Sequence, residues 1–364
     1  MSHRPATRFR PLALAAAFAL MFAACSSAAT PAPTPSPTAA PASAGVSAAP
    51  TAAAAGTLPP KFTVRFLASA GALGDWAPYV GKANGYFTAQ NIDLQYSTFA
   101  NAGDVFNAIV SGQGDLAIIS LPTALTAALA GAPAKLISAA QYGKPGSYDS
   151  RWAVLDNSPI KTPADLKGKK VNIFAQSSLA QAITRSVLSK AGVQASDYTE
   201  VSVPFAQAYT ALESGQVDTS LFIEPFYSNT NSLLKSKGQA PLRVIYQYMT
   251  YFTDGVNTTG MMANTDWAAK NKDGLKRFFA AWFQAAKWGN DTSNRALLRS
   301  VIANGAGITV DSIKDMEPAL ESEDGKFIPG FVPKFQDLLV QYQMVKGLDK
   351  ALTEDKFIDL SYLP

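Results

Sequence analysis

A short pattern occurs twice in this chain at a constant offset, and that duplication constrains the fold more than any other feature. The run from Asn107 to Asp115, followed by Pro122, lines up without a gap with the run from Thr210 to Asp218, followed by Pro225; each position recurs 103 residues later. Ser111-Gly112-Gln113 and Ser214-Gly215-Gln216 are identical, and an aspartate closes each run, Asp115 in the first copy and Asp218 in the second. Each copy reads as a helix stopped by a C-cap glycine, a tight turn, a buried strand and a proline opening the next helix. Two related βα halves, each with its own sheet, are expected.

The rest of the body supports alternation. Thr63 to Ala68, Ile92 to Tyr96, Leu116 to Ser120, Val171 to Ala175, Glu200 to Val203 and Thr219 to Ile223 read as strands. Pro78 to Asn84, Asp104 to Ser111, Ala180 to Ala191 and Ala206 to Ser214 read as helices between them. This order implies mostly parallel sheets flanked by helices, an α/β class. Leu275, Phe278, Phe279, Trp282, Phe283 and Ala286 recur at helical spacing after Asp273, so a long helix is expected to bury that stripe in the core of the first lobe.

Two residue types are almost missing. The single histidine is His3 and the single cysteine is Cys25, so a body beginning near Lys61 has neither. That excludes from it a Cys or His zinc site, a thiol nucleophile, a Ser-His-Asp triad and a disulfide. The chain has 31 Lys and Arg against 27 Asp and Glu, and Arg4, Arg8 and Arg10 supply most of the excess. A nearly neutral body without basic runs argues against a nucleic-acid partner.

The N-terminus reads as an address. Arg4, Arg8 and Arg10 precede the apolar stretch Pro11 to Ala24, which is too short to span a bilayer and has the order of a secretory signal over residues 1–24. Residues 26–60 contain no charged or aromatic side chain and read as a disordered Ala/Pro/Ser/Thr tether. Small residues before Cys25 resemble a bacterial lipoprotein signal, which implies lipidation of Cys25; Phe22 departs from the usual pattern, and ordinary cleavage in the Ala-rich stretch is the alternative.

Ala77 to Phe87, Ser111 to Asp115, Ile160 to Val171 and Gly215 to Asp218 together resemble the substrate-binding proteins of ABC importers. The nearest group is the nitrate, sulfonate and taurine (SsuA-like) type, related in fold to the thiamine-pyrimidine (NMT1/THI5-like) proteins. The resemblance covers Lys61 to Pro364. It implies a two-lobed type II periplasmic-binding fold, a clamshell in which the chain crosses between lobes twice. The crossings are expected near Trp152 to Asp156 and Gly255 to Asn264, giving lobe 1 as residues 61–155 and 257–364 and lobe 2 as 156–256.

Open α/β sheets bind ligands beyond the carboxyl ends of their strands. In lobe 1 this selects Asp75, Trp76, Tyr79, Asn101, Ser120 and Thr123; in lobe 2 it selects Gln176, Ser177, Ser178, Phe205 and Glu224. Ser177 and Ser178 can serve as helix caps, ligand contacts or both. Trp76 is either a lid on the ligand or a plug beneath it. Glu224 takes the place of Leu121 in the repeat, and a carboxylate there either meets a ligand cation or pairs with a neighbouring Lys or Arg. With no Lys or Arg at these tips, a zwitterion or heterocycle fits better than a simple anion. Tyr142, Phe222, Tyr248, Tyr251 and Phe252 add aromatic density around the same region.

The resemblance implies a monomeric extracytoplasmic binding lipoprotein, anchored at the membrane and partnered by a permease and an ATPase. No cofactor or metal is implied. A ligand-binding sensor module keeps the same clamshell and anchor. An enzyme of the thiamine-pyrimidine type is disfavoured because its chemistry depends on His and Cys.

Overall fold

The computed structural model describes residues 58–364 apart from 70–72, 100–101, 145–146, 148–149 and 177. The proposed signal, Cys25 and nearly all of the tether therefore lie outside the described residues, as do Asn101 and Ser177. Residues 57–364 form one compact unit. No helix among the described residues is long and apolar enough to cross a membrane.

The first half runs β1 (Phe62–Ser69), α1 (Ala77–Ala83), α2 (Tyr86–Ala89), β2 (Ile92–Phe99), α3 (Ala102–Val110), β3 (Leu116–Ile119), α4 (Leu121–Leu129) and β4 (Ala134–Ala139). The linking strand β5 (Gln141–Gly143) leads to β6 (Arg151–Val154), β7 (Lys170–Asn172), α5 (Leu179–Lys190), β8 (Thr199–Val201), α6 (Ala208–Glu213), β9 (Ser220–Phe222), α7 (Phe226–Ser236) and β10 (Arg243–Gln247). The chain returns through β11 (Val256–Asn257) and β12 (Gly260–Asn264). It then forms α8 (Thr265–Lys270), α9 (Lys272–Asn290), α10 (Arg295–Ala306), β13 (Leu320–Glu321) and α11 (Phe331–Gln341).

The two halves build sheets on one plan. In the first, the order is β2-β1-β3-β12-β4, with β1 parallel to β2 and β3, and β12 antiparallel to its neighbours. In the second, β8 and β7 are parallel, Val171 of β7 bridges Thr219 beside β9, and β6 lies antiparallel between β9 and β10. Each sheet thus receives its antiparallel strand from a crossover. A short ladder of β11, β5 and β13 links the halves.

This pattern moves the first crossing. Trp152 to Val154 are already the antiparallel strand of the second sheet, so the chain crosses before Arg151 rather than at Trp152 to Asp156. The tail also departs from expectation. Instead of staying with the first lobe, α11 packs on α5 of the second, where Phe331, Phe335 and Leu339 join Leu179, Ile183 and Val187 in one core cluster. Arg185 of α5 donates to the carbonyl of Tyr342 at 3.3 Å, and a bidentate pair with Glu200 holds the guanidinium. The chain then returns to β4, where Ile358 bridges Leu136. The physical reason is the apolar face of α5, which needs cover that its own half does not supply.

The repeated motif is a sheet fastener. Gly112 and Gly215 adopt positive φ of 74° and 71° where α3 and α6 stop. The aspartates that follow fold back to the first strand of each half: Asp115 accepts from the backbone N–H of Arg65 at 2.8 Å, and Asp218 from that of Lys170 at 2.7 Å. The return helix α9 buries Leu275, Phe278, Phe279, Trp282 and Ala286, with Phe283 half-buried, against Phe62, Phe66 and Phe87 of the first half.

Candidate functional site

The parallel strands of each half end in segments that lead to helix N-termini, where free N–H groups favour anions and polar oxygens. In the first half, Ser120 stands at the N-cap position of α4 without a capping bond from its side chain, and its hydroxyl lies 2.9 Å from that of Thr123. Tyr79, half-buried on α1, hydrogen-bonds Tyr96 of β2, their rings 5.6 Å apart. Burial, with the charge of Asp75 nearby, pushes the Tyr96 phenol well up.

Asp75 is enclosed. The side-chain amide of Gln141 donates to its Oδ1, and burial pushes the carboxyl up to about 7. Gln141 comes from β5 in the linking ladder, so this contact joins the end of β1 to the junction between the halves.

In the second half the strand ends are shaped by Asn172, a fully buried side chain. Its Oδ1 accepts from the N–H groups of Phe174 and Val203, and its Nδ2 donates to Ser220. Phe174 is held at φ 63°, an unusual conformation for a residue with a side chain. Its ring stacks on Phe205 at 4.0 Å with an interplanar angle of 5°. Phe99, at the end of β2, and this stacked pair are half-buried against the same large core cluster.

Ser178 is a helix cap. Its hydroxyl accepts from Gln181 N–H and lies within hydrogen-bond distance of the carbonyls of Ile173 and Ala175. Exposed Gln176 accepts from the side chain of Gln181, which also reaches Glu200.

Trp76 and Glu224 both turn toward the segment that joins α10 to β13. Trp76 has no exposed surface and donates its indole N–H to the carbonyl of Ala319 at 2.9 Å. It packs so closely on α9 that a Cβ on Gly289 would fall 2.1 Å from its ring. Of the two sequence readings, it is the plug and not the lid. Glu224 accepts from the N–H of Ser228 at 3.2 Å, lies 2.8 Å from the Ser228 hydroxyl, and accepts from the backbone of Glu317. Burial pushes its carboxyl up, against the opposing pull of these donors and of Arg151.

Trp76 and Glu224 thus hold the same return segment, at Ala319 and Glu317 respectively, instead of facing each other across open space. Ser228 and Ser232 of α7 add contacts to Asp315 at 2.9 and 2.8 Å. A cavity of about 410 Å³ opens beside this seam, lined by Ser228, Asn231, Ser232, Lys235, Gln239, Pro241 and Asp315.

The sequence did not single out Asn172, Phe174 and Gln141, whose contacts shape these segments, nor Glu321, which lies opposite Gln141 on β13. Phe174 lies near the end of the strand expected over Val171 to Ala175, which signals it weakly, but nothing local marks Glu321, which sits on a strand of two residues. Among the described residues no group of three or more acidic, His or Cys side chains is arranged to hold a metal.

A stretch of 75 residues is 39% identical to an Escherichia coli (strain K12) protein named for aliphatic sulfonate binding, covering 21% of this chain and 23% of that protein. The sequence match therefore spans less than a quarter of that relative's length. In three dimensions the chain resembles the periplasmic aliphatic sulphonate binding protein SsuA from Escherichia coli, with a TM-score of 0.65 at 21% identity, over 82% of this chain and 92% of that one. It also resembles the alkanesulfonate-binding protein SsuA from Xanthomonas axonopodis pv. citri bound to MOPS, with a TM-score of 0.62 at 19% identity, over 80% and 96%. These likenesses establish the two-lobed periplasmic-binding fold. The model of the NMT1/THI5-like family matches residues 76–293, more than half of the chain, and the protein belongs to that family.

Proposed function

We propose that this chain is the extracytoplasmic solute-binding component of an ABC importer, taking up a small organic solute, either a taurine- or sulfonate-like zwitterion or a pyrimidine-like heterocycle. It holds the solute between its lobes and delivers it to a membrane permease driven by an ATPase. The observation that carries this reading is the pair of matching sheets joined by a short linking ladder. Two lobes on such a ladder can close over a solute, and only a solute that binds the closed state better than the open one shifts that equilibrium. Ser120, Thr123 and the N-terminus of α4 supply polar contacts from one half; Ser178, Gln176 and the stacked Phe174 and Phe205 supply a cap and an aromatic wall from the other. Lipidated Cys25 and the segment after it would tether the body to the outer face of the membrane.

Binding without turnover fits the residue inventory. His3 and Cys25 lie outside the described residues, which hold no imidazole and no thiol. The test is a thermal-unfolding screen of the mature protein with taurine, alkylsulfonates, nitrate, pyrimidines and flavin-like compounds. A cleft solute at a hundredfold excess over its Kd stabilises by about 2.7 kcal/mol. A screen in which none of the sulfonates, zwitterions or heterocycles raises the transition, or in which a hit is chemically transformed, defeats the reading.

A further inference from the structure

Glu321 is a buried carboxylate with nothing to hold. Its side chain is fully enclosed, and neither Oε1 nor Oε2 has a hydrogen-bond partner. It stands on β13 directly opposite Gln141 of β5, the residue whose amide reaches Asp75. Asp75 is itself enclosed and near enough for its charge to act on Glu321. No ion pair among the described residues reaches either acid: the carboxylates that do meet a Lys or Arg are Asp93, Asp115, Asp197, Glu200, Glu213 and Asp156.

Removing one carboxylate from water without a partner is costly, and placing two side by side is worse. The backbone around Glu321 is nevertheless firmly built, because Asn290 accepts from its N–H at 3.1 Å and donates to its carbonyl at 2.8 Å. The ladder holds Glu321 opposite Gln141, whose amide reaches Asp75 in the segment that follows β1; the segments that follow the strands of an open α/β sheet are where ligands bind.

We propose that Glu321, with Asp75 beside it, receives the cationic group of the solute, a primary ammonium or an amidinium-type N–H cation on a small organic molecule. The inference rests on the solute-binding reading above and narrows it to cation-bearing solutes. Two free oxygens on Glu321 and the second oxygen of Asp75 match the three donors of an ammonium. A divalent metal needs about six oxygen ligands in a defined shell, and two carboxylates without a third acidic, His or Cys neighbour among the described residues do not make one. Burial also holds both acids toward their neutral forms when no cation is bound.

Taurine and ethanesulfonate differ by one ammonium group, and their affinities for the full mature protein test the proposal by calorimetry. Methylammonium chloride, potassium chloride and tetramethylammonium chloride at equal ionic strength are compared by thermal unfolding. Taurine is expected to bind at least about tenfold more tightly than ethanesulfonate, and methylammonium alone to give a saturable rise in the unfolding temperature. Both differences should vanish in Glu321→Gln, with Asp75→Asn as the second variant if the first does not fold.

Equal binding of the two sulfonates, a potassium effect as large as that of methylammonium, or persistence of the ammonium preference in a folded variant overturns the proposal. Absence of the saturable methylammonium rise overturns it as well. Sulfonate binding without an ammonium preference would leave the solute-binding reading standing; a methylammonium response in a protein that binds nothing in the wider screen would do the reverse.

Discussion

The carboxylate of Asp115 accepts the backbone N–H of Arg65 at 2.8 Å and also grips that residue's guanidinium at 2.6 and 3.2 Å. The backbone half of this arrangement recurs between Asp218 and Lys170 in the second lobe. A duplicated sequence pattern therefore encodes a duplicated clasp between the strand that follows the turn and the strand that begins the sheet.

Loss of the clasp should destabilise both lobes unequally. Asp115→Ala leaves a buried N–H and an arginine without their partner, so urea unfolding is expected to show a loss of about 1.5 to 3 kcal/mol. Asp218→Ala, at a half-buried site with one backbone contact, should cost less, about 1 kcal/mol. Losses indistinguishable from zero in both variants would show that the aspartates do not fasten the sheets.

Asp75 makes stability depend on pH with an unusual sign. Its carboxyl is raised to about 7 in the folded state by burial, against an ordinary value of 3.8. The folded protein then holds a proton that the unfolded chain releases. The resulting stabilisation is complete below the unfolded value and is lost as pH rises through about 7, by an amount on the order of 4 kcal/mol. Asp75→Asn keeps an acceptor for Gln141 and removes the titration. Unfolding temperatures at pH 5 and pH 8 should differ less in the variant than in the wild type; an unchanged difference refutes the assignment.

Gly289→Ala probes the plug. The added Cβ would lie 2.1 Å from the Trp76 ring, and overpacking of this kind costs about 1 to 3 kcal/mol, outweighing the gain of roughly 1 kcal/mol that alanine brings to a helix interior. The unfolding temperature should fall, and pairing the change with Trp76→Phe should recover part of the loss. A more stable single variant would mean that Trp76 has room to move.

Glu224 is expected to matter for the seam more than for the solute. Glu224→Ala frees the N–H groups of Ser228 and Glu317, so their hydrogen exchange should accelerate while Glu224→Gln leaves solute affinity within about threefold, under roughly 1 kcal/mol. A tenfold or greater loss of affinity in a folded Glu224→Gln protein would return this carboxylate to the binding site.

Cys25→Ala tests the anchor. If the thiol carries lipid, the variant should move from the membrane to the soluble fraction with an unchanged unfolding temperature. Retention of the alanine variant on membranes is incompatible with anchoring through Cys25.

The sequence by itself determined the duplicated α/β plan, the strands β1, β2 and β3, the glycine-stopped helices and the buried stripe of α9. Each is written in local periodicity, turn chemistry or repetition, because one face of a short element must be apolar to be buried. It also determined, through the placement of His3 and Cys25, which chemistries the body lacks.

Tertiary structure alone decided what covers the loop ends. Trp76 follows a glycine-rich loop that suits a lid as well as a plug, and the choice falls to the plug because its indole N–H finds Ala319, 243 residues further along the chain. Glu224 follows a strand end that could face solvent, but the Glu317 backbone lies over it. The segment joining α10 to β13 has no periodicity to announce where it packs, and α11 covers the second lobe because the apolar face of α5 was left open. The placement of Glu321 opposite Gln141, and through it near Asp75, depends on a ladder strand two residues long. Local pattern fixes which face of an element turns inward; which distant backbone meets that face follows only when all the faces are packed together.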